Sequence, residues 1–266
     1  MHETLTTAAR TKASPLHGLA SAVAFLTRIP LHRHSANPQA FTLSAAAVWF
    51  PFVGAGVGGF TGGIIWLAAH VWSIWPAVVL GLACEALLTG ALHEDALADF
   101  CDAFGGGWTR DDVLRILDDS RVGSYGVLGL TLAVLLRAGW LASLPSGQLI
   151  AVAMASATLG RWAMLPAMAA LLPVAGRQSL AEQVGRAIGG REVLLGSLLA
   201  MPGLFWMGWF APLRLVSALA VLMVLVPAVV SYVRRRIGGL TGDCLGALCY
   251  LAQLGVLACA ASGCGP

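Results

Sequence analysis

Charged residues are scarce in this chain of 266 residues. They make up 11% of it, against about 25% in soluble domains, whereas apolar residues make up 58% and the mean hydropathy is +0.80. So few charges cannot cover the surface of a soluble protein of this length, and so high a hydropathy excludes a disordered chain. The composition therefore predicts an all-α, polytopic integral membrane helix bundle that forms a single domain over residues 1–266.

Lysine is nearly absent, and the chain has no basic stripe. Only one of the 16 basic residues is lysine and the net charge is +3, which excludes the kind of basic surface that nucleic-acid binding needs. The six cysteines are scattered, mostly within apolar runs, and no Cys-x-x-Cys pair occurs. We therefore interpret them as small apolar residues rather than as a disulfide framework or a zinc site.

Long apolar runs, by contrast, are abundant. A transmembrane helix needs about 20 predominantly apolar residues. About seven runs qualify, at 43–71, 74–92, 126–144, 149–172, 193–211, 213–233 and 244–262. The first is rich in glycine, so we expect it to be tilted, kinked or broken. Residues 1–42 form an arm in which Leu16–Thr27 is typical of a short helix lying in the membrane interface.

Basic residues are distributed unevenly between alternate connections. Thirteen of the 16 lie in the N-terminal arm and in the loops 93–125, 173–192 and 234–243, whereas the other connections hold only Arg214. The positive-inside rule therefore predicts that these loops and the N-terminus face the cytoplasm.

Glycines in the first apolar run allow two interpretations. Gly54, Gly56 and Gly59 match the dinucleotide fingerprint G-x-G-x-x-G, but no strand-like segment precedes them. The same run has glycines four residues apart, in the pairs Gly54/Gly58 and Gly58/Gly62, and this spacing lets helices approach closely. We favour helix packing.

Acidic residues are concentrated in loop 93–125, which holds eight of the 13 acids of the chain. On a helix, Asp95, Asp99 and Asp102 fall on one face, where three carboxylates repel one another unless a cation lies among them. A hard divalent cation, Mg²⁺ first, suits oxygen ligands and keeps coordination sites for phosphate. We predict a metal site here; the alternative is a solvated acidic helix face.

Other polar residues near this loop have less certain roles. His93 lies on the opposite side of the helix from the aspartates, and its role stays open between proton transfer, a substrate hydrogen bond and a structural contact. The spacing of Glu85, Thr89 and His93 predicts one continuous helix. Arg161, inside a span, is a candidate for substrate binding or for packing.

The later part of the loop predicts a second short helix. Gly105–Gly107 ends the first helix, and Thr109 with Asp112 resembles a capping box that opens the next one. The charged residues spaced along that helix form either a salt-bridged surface or part of a catalytic site: Asp111, Arg115 and Asp118.

A phosphate-binding segment is predicted where this second helix ends. Asp119, Ser120 and Arg121 bring a carboxylate, a hydroxyl and a guanidinium together beside Gly123. These groups are able to hold phosphate and metal together.

A second polar segment, 238–246, opens the last apolar run. Its glycine-rich backbone, with Thr241 and Gly242 at a helix start, suits an anion, and Asp243 suits a metal or a general base. The predicted topology brings this segment to the same face of the membrane as the acidic loop. We therefore expect the two to form one site.

In order along the chain, these segments resemble those of the cobalamin synthase family, the adenosylcobinamide-GDP ribazoletransferases. The matching segments are FLTRIP at 25–30, TGALHEDALAD at 89–99, DSRVG at 119–123 and GLTGDCLGA at 239–247. The resemblance covers nearly the whole chain. One departure is Ala96, which stands where the family pattern has glycine.

The resemblance implies a Mg²⁺-dependent, multi-pass transferase of the bacterial cytoplasmic (inner) membrane. Its substrates would be adenosylcobinamide-GDP and α-ribazole or α-ribazole 5′-phosphate, and GMP would be released. On this hypothesis the metal ligands are Asp95, Asp99 and Asp102, and the catalytic residues are His93, Asp243 and Arg121. The substrate-binding residues are Asp119, Ser120, Arg161, Thr241 and Gly242. Beyond the lipid bilayer, the partners left open are a homo-oligomer and other cobalamin-assembly enzymes.

Two other classes of membrane protein are alternatives. A CDP-alcohol phosphotransferase would carry a D-G-x-x-A-R run, which is missing here. A permease for a divalent metal or a corrinoid would show paired broken helices in an internal repeat, whereas the acids of this chain cluster in one loop.

Overall fold

The computed structural model describes residues 15–31, 43–174 and 188–262, and these residues form α-helices joined by short connections. The eleven helices of the described part are α1 Pro15–Leu26, α2 Leu43–Ala47, α3 Phe50–Ala68, α4 Ile74–Thr89, α5 Leu92–Gly106, α6 Arg110–Leu117, α7 Ser124–Ser143, α8 Leu149–Ala170, α9 Gly190–Phe210, α10 Pro212–Ile237 and α11 Gly242–Ala261. The prediction of an all-α fold is confirmed. Most of the N-terminal arm and most of loop 173–192 lie outside the described residues.

Six helices are each long and apolar enough to cross a membrane: α3, α7, α8, α9, α10 and α11. Helices α4 and α5 pass the same test only together, as a pair bent by 90°, and this pair raises the number to seven. The chain is therefore a multi-pass membrane protein. The predicted first span is broken into α2 and α3, and the predicted interfacial helix is α1.

The corner between α4 and α5 corrects one prediction. Gly90 and Ala91 both have left-handed backbone conformations, with φ of 72° and 57°, so the helix that contains Glu85 ends at Thr89. The prediction that Glu85 and His93 share one continuous helix is therefore wrong. Left-handed φ is unfavourable for alanine, so contacts outside the corner must hold Ala91 there.

Glycines of α3 allow it to pack directly on the backbone of α8. A Cβ at Gly54 would lie 2.5 Å from the Ala157 carbonyl oxygen, and one at Gly62 would lie 2.7 Å from the Ile150 Cα. Gly58, between them, faces the backbone at Ala153 in the same way. Only glycine fits at this separation, so the interpretation as helix packing is confirmed and the dinucleotide motif is not needed.

The centre of the bundle is formed by α8 and α11, whose most apolar windows are 78% and 72% buried, against 22% for both α9 and α10. Helix α10 ends, and α11 begins, at one face of the bundle, which we call the site face. We take α4 as the membrane-crossing arm of the bent pair. Helix α5, which carries four acids, reaches the site face, since its Asp99 lies beside Asp243 in the first turn of α11.

Candidate functional site

The three aspartates of α5 differ in their exposure. Asp95 is exposed, Asp99 is half-buried and Asp102 is buried. Helix α5 packs along α11, and Asp99 lies close to Asp95 and to Asp243 in the first turn of α11. Along the face that the three aspartates were predicted to share, exposure to solvent therefore decreases from Asp95 to Asp102.

Asp102 anchors the start of α7. Its Oδ2 accepts a hydrogen bond from the Gly123 N–H at 2.6 Å, and its Oδ1 accepts one from the Gly126 N–H at 2.8 Å. Both glycines are needed, since a Cβ at either position would meet the same carboxylate. Negative charge at a helix N-terminus is favourable, so Asp102 fastens the turn after Arg121 to α5.

Asp99 lies at the centre of the acidic cluster, beyond the membrane-spanning helices. Partial burial and, after it, the neighbouring carboxylates of Asp95, Asp243 and Asp102 together raise its pKa to about 6. Within the described part of the chain, neither Asp95 nor Asp99 makes an ion pair. Because Asp99 lies close to Asp243, the two polar segments predicted to meet, on α5 and at the start of α11, are neighbours.

The acidic cluster does not by itself form a complete metal-binding site. Among the described residues, no three His, Cys, Asp or Glu side chains are close enough together to hold a metal ion. A Mg²⁺ ion at this cluster would therefore have one or two carboxylate ligands and would draw the others from water and phosphate. Mg²⁺ commonly binds in this way.

The start of α11 closes the site from the other side. Thr241 is its N-cap and accepts a hydrogen bond from the Cys244 N–H at 3.3 Å. Gly242 is exposed, with open space around the position of a Cβ, and half-buried Asp243 occupies the first turn. Free backbone N–H groups of a first turn attract anions. The predicted anion-binding character of this turn thus has a helix N-terminus to support it.

Ala96, the one departure from the family pattern, packs between these two helices. Its methyl group covers Gly246 of α11 so closely that a Cβ on Gly246 would collide with it. The alanine thus fills space that a glycine would leave open. It faces away from the exposed Asp95 and changes no carboxylate.

The segment after α6 holds an exposed ion pair. Asp119 accepts hydrogen bonds from the Arg121 side chain at 2.6–3.2 Å and from its backbone N–H at 3.1 Å. The side-chain bonds are the main reason why the pKa of Asp119 falls to about 2. Ser120 between them is exposed. All three predicted residues therefore lie together on the surface, and the guanidinium is accessible to a phosphate.

Helix α6 begins with the predicted capping box: Thr109 accepts from the Asp112 N–H, and the Asp112 carboxylate accepts from the Thr109 N–H. The acids of α6 pair with their sequence neighbours, Asp111 with Arg110 and Asp112 with Arg115. These pairs are exposed, which favours the interpretation of α6 as a salt-bridged surface over a catalytic role.

Two arginines tie this surface to the end of α10. Arg110 donates to the Ile237 carbonyl oxygen at 3.1 Å. Arg236 donates to the Gly107 carbonyl oxygen and lies over the ring of Phe104, 5.7 Å from its centroid. The polar loop is thereby held against the turn that leads into α11.

A buried ion cluster lies inside the bundle beneath the site. Arg137 of α7 donates to both carboxylate oxygens of Glu85, at 2.7 and 2.8 Å, and its side chain is only 6% exposed. It also reaches Glu94 of α5 at 3.4 Å and Gln253 of α11 at 3.3 Å. Thr61 of α3 donates to Glu85 at 2.7 Å. One guanidinium therefore bridges the corner between α4 and α5.

His93 and Arg161 lie in the interior rather than at the surface of the site. His93 is 2% exposed and Arg161 is fully buried. The Arg161 side chain packs on α3 and donates from Nη1 to the Ala157 carbonyl oxygen at 3.4 Å. Among the described residues, Arg161 Nε and Nη2 have no hydrogen-bond partner, and neither has His93 Nε2. These two predicted site residues therefore lie among the buried side chains of the bundle, apart from the exposed Asp95 and Arg121.

Sequence reasoning missed the partners of the buried cluster. Arg137 and Glu85 were visible as charges inside apolar runs, and such charges usually pair. The pairing itself was not predicted, because their separation along the chain of 52 residues carries no periodic signal. Thr61 and Gln253 gave no signal at all.

Comparison with known proteins identifies the family. The model of the cobalamin-5-phosphate synthase family matches residues 18–261. The chain belongs to this family. It is therefore an enzyme, a transferase of cobalamin biosynthesis, and the residues carrying the resemblance lie within the matched range. No solved structure matches the chain.

Three similar proteins are each named adenosylcobinamide-GDP ribazoletransferase. The protein of Leptothrix cholodnii is 39% identical over 242 residues, which cover 88% of this chain and 90% of that one. The protein of Ralstonia nicotianae is 37% identical (89% and 91% covered), and that of Ralstonia pickettii is 34% identical (89% and 92% covered). The similarity therefore extends over the whole bundle of this member of the cobalamin-5-phosphate synthase family.

Proposed function

We propose that this chain joins adenosylcobinamide-GDP to α-ribazole, or to α-ribazole 5′-phosphate, and releases GMP. The name shared by the similar proteins supports the first substrate. The observation that carries the chemistry is the convergence of carboxylates around Asp99, where α5 meets the start of α11.

The reaction exchanges one phosphorus–oxygen bond for another. A ribose hydroxyl of α-ribazole attacks the phosphorus that is linked to the corrinoid, and its oxygen forms the new bond. The bond from that phosphorus to the GMP oxygen breaks, and GMP leaves with the electron pair. Such transfers depend mainly on positioning and on stabilising charge, so the groups that matter most are those that bind the phosphates and a cation.

A divalent cation suits the residues of this cluster. Asp95 and Asp99 offer hard oxygen ligands and make no ion pair in the described part of the chain, so their charge is left for a cation to neutralise. We propose that Asp95 and Asp99 hold Mg²⁺, with Asp102 beside them fixed by its two glycine N–H bonds. When bound, Mg²⁺ would supply charge stabilisation to the diphosphate and to the departing GMP.

The remaining groups have roles that follow from their positions. Arg121 is exposed and placed to clamp a phosphate by two parallel hydrogen bonds, with Ser120 and Asp119 orienting it. The backbone of Thr241 and Gly242 offers a second anion contact. We propose Asp243 as the group that takes the hydroxyl proton, because His93 is buried and Asp243 is not.

The test measures GMP release and cobalamin formation by the purified full chain in lipid vesicles, given adenosylcobinamide-GDP and α-ribazole. We expect activity to require Mg²⁺ and to disappear with EDTA. Asp99→Asn is expected to lower kcat/KM by at least about a hundredfold, while Asp111→Asn, the same charge change on an exposed side chain of α6, leaves it near the wild-type value. Full activity of Asp99→Asn, or GMP release without Mg²⁺, would exclude the metal assignment.

We also propose that the site face is cytoplasmic, because arginines of α6 and of the end of α10 gather there. Trp108, which is 90% exposed beside α6, and Trp72, which is 55% exposed between α3 and α4, mark the two faces. A membrane-impermeant maleimide applied to intact cells is expected to label Trp72→Cys and to label Trp108→Cys only after permeabilisation. The reverse pattern would contradict this orientation.

A further inference from the structure

A groove opens on the surface of the bundle between α8 and α10, away from the carboxylate cluster. Its volume is about 360 Å³. The walls are mostly apolar and include Trp162 and Pro166 of α8 and Met223 and Pro227 of α10. Because both helices are membrane spans and Met223 is 70% exposed, the groove faces the hydrocarbon region.

Two prolines leave polar backbone groups in this groove. Proline has no N–H to give to the carbonyl four residues earlier in a helix. Pro166 therefore frees the carbonyl of Trp162, and Pro227 frees that of Met223; all four residues line the groove. A simple packing defect between two helices would not require a proline on each side.

One end of the groove is basic. Arg234 and Ser231 line it where α8 and α10 end at the site face, and Arg234 donates to the Ala170 carbonyl oxygen at 2.7 Å. Arg235 and Arg236 follow directly. Among the described residues, none of these three arginines makes an ion pair with a carboxylate. The groove thus joins an apolar channel to an arginine whose charge is not neutralised.

We propose that this groove binds a phospholipid with an anionic headgroup, one acyl chain lying between Pro166 and Pro227 and the phosphate resting on Arg234. The complementarity is twofold: apolar walls at the depth of the acyl chains, and unneutralised positive charge at the depth of the headgroups. Basic pockets between transmembrane helices bind anionic lipid headgroups for this reason. The proposal is independent of the reaction at the carboxylate cluster.

The chain itself supplies a matched control. Arg234 and Arg235 are consecutive, both are exposed and both carry one charge, but only Arg234 lines the groove. If lipid binds at a specific site in the groove, loss of Arg234 weakens binding more than loss of Arg235. If lipid is only attracted to the basic surface in general, the two losses have the same effect.

The experiment reconstitutes the full chain in vesicles of phosphatidylcholine with or without phosphatidylglycerol and counts retained lipids by native mass spectrometry. We expect the wild-type chain to retain one phosphatidylglycerol in preference to phosphatidylcholine. Arg234→Gln is expected to lower this retention by about tenfold, as loss of a charge-assisted hydrogen bond does. Arg234→Lys and Arg235→Gln retain most of it. Ser231→Phe, which fills the groove without changing charge, abolishes it.

Several results would overturn the proposal. Equal losses for Arg234→Gln and Arg235→Gln would show general surface attraction only, and unchanged retention in Ser231→Phe would show that the groove is not the site. Equal retention of phosphatidylcholine would remove the role of the anionic headgroup. Displacement of the lipid by adenosylcobinamide-GDP would assign the groove to the substrate. Because the readout is lipid retention, none of these results depends on transferase activity.

Discussion

Replacing Arg137 by methionine tests how strongly the buried ion cluster holds the bundle together. The Arg137 side chain is 6% exposed and that of Glu85 is 3% exposed, and two hydrogen bonds of 2.7 and 2.8 Å join them. Removing one partner of such a pair leaves an uncompensated buried charge, which costs about 3–5 kcal/mol. An ordinary hydrogen bond between membrane helices contributes only about 0.6 kcal/mol on average. A buried ion pair and an ordinary interhelical hydrogen bond therefore predict clearly different losses of stability.

The measurement is the free energy of unfolding in mixed micelles titrated with denaturing detergent. We expect Arg137→Met to lose about 3–5 kcal/mol. The double variant Glu85→Gln/Arg137→Met is expected to lose clearly less than Arg137→Met alone, because it removes the stranded charge as well. It does not return to the wild-type value, since Glu94 also loses its partner. Arg214→Met, which removes a more exposed arginine, is the control and is expected to stay within about 0.5 kcal/mol.

The reasoning would be refuted by either of two results. A loss near 0.6 kcal/mol for Arg137→Met would mean that the guanidinium acts as one more interhelical hydrogen-bond donor. Additive losses in the double variant would mean that Glu85 and Arg137 stabilise the fold through separate contacts rather than as a pair.

Three further substitutions test separate contacts of the site. Gly246→Ala is expected to destabilise the chain by about 1–3 kcal/mol in the same unfolding assay, because the added methyl meets that of Ala96; Ala96→Gly in the same chain restores the loss, and failure to restore it would contradict the contact. Asp102→Ala leaves two glycine N–H groups without acceptors, at about 1–3 kcal/mol, and we expect faster amide exchange confined to the first turn of α7. Thr109→Ala removes the N-cap of α6 and costs about 1 kcal/mol; an unchanged unfolding free energy would show that the cap is redundant with the contacts to α10.

The apolar runs predicted the spans well because a backbone in lipid must satisfy its hydrogen bonds internally, and a helix does so within one segment. Each run therefore carries its own signal. The capping box at Thr109 was also predictable from a local signal, since both of its partners lie within four consecutive residues. Helix packing through Gly54 and Gly58 was predictable from spacing alone.

Contacts between distant segments were not predictable. Ala91 has no local preference for left-handed φ, and the corner is held from outside: the Arg28 N–H donates to the Leu88 carbonyl oxygen at 2.7 Å. Likewise, the pattern places Asp102 on the face of Asp95 but does not reveal that glycine N–H groups 21 and 24 residues later capture its carboxylate. Such pairings depend on how helices assemble, and periodicity within one helix does not record that.

The acids of α5 divide into two kinds, and this division bears on where a cation is needed. Glu94 is paired with Arg137 inside the bundle, and Asp102 is satisfied by two backbone N–H groups. These two contacts fix α5 on both sides of Asp95 and Asp99, which make no ion pair among the described residues. The helix is therefore held rigidly by two of its acids while the negative charge of the other two stays unneutralised. On the proposed function, a diphosphate brought to the same place would add further negative charge, so we expect its binding to depend on a cation that Asp95 and Asp99 share with the phosphate oxygens.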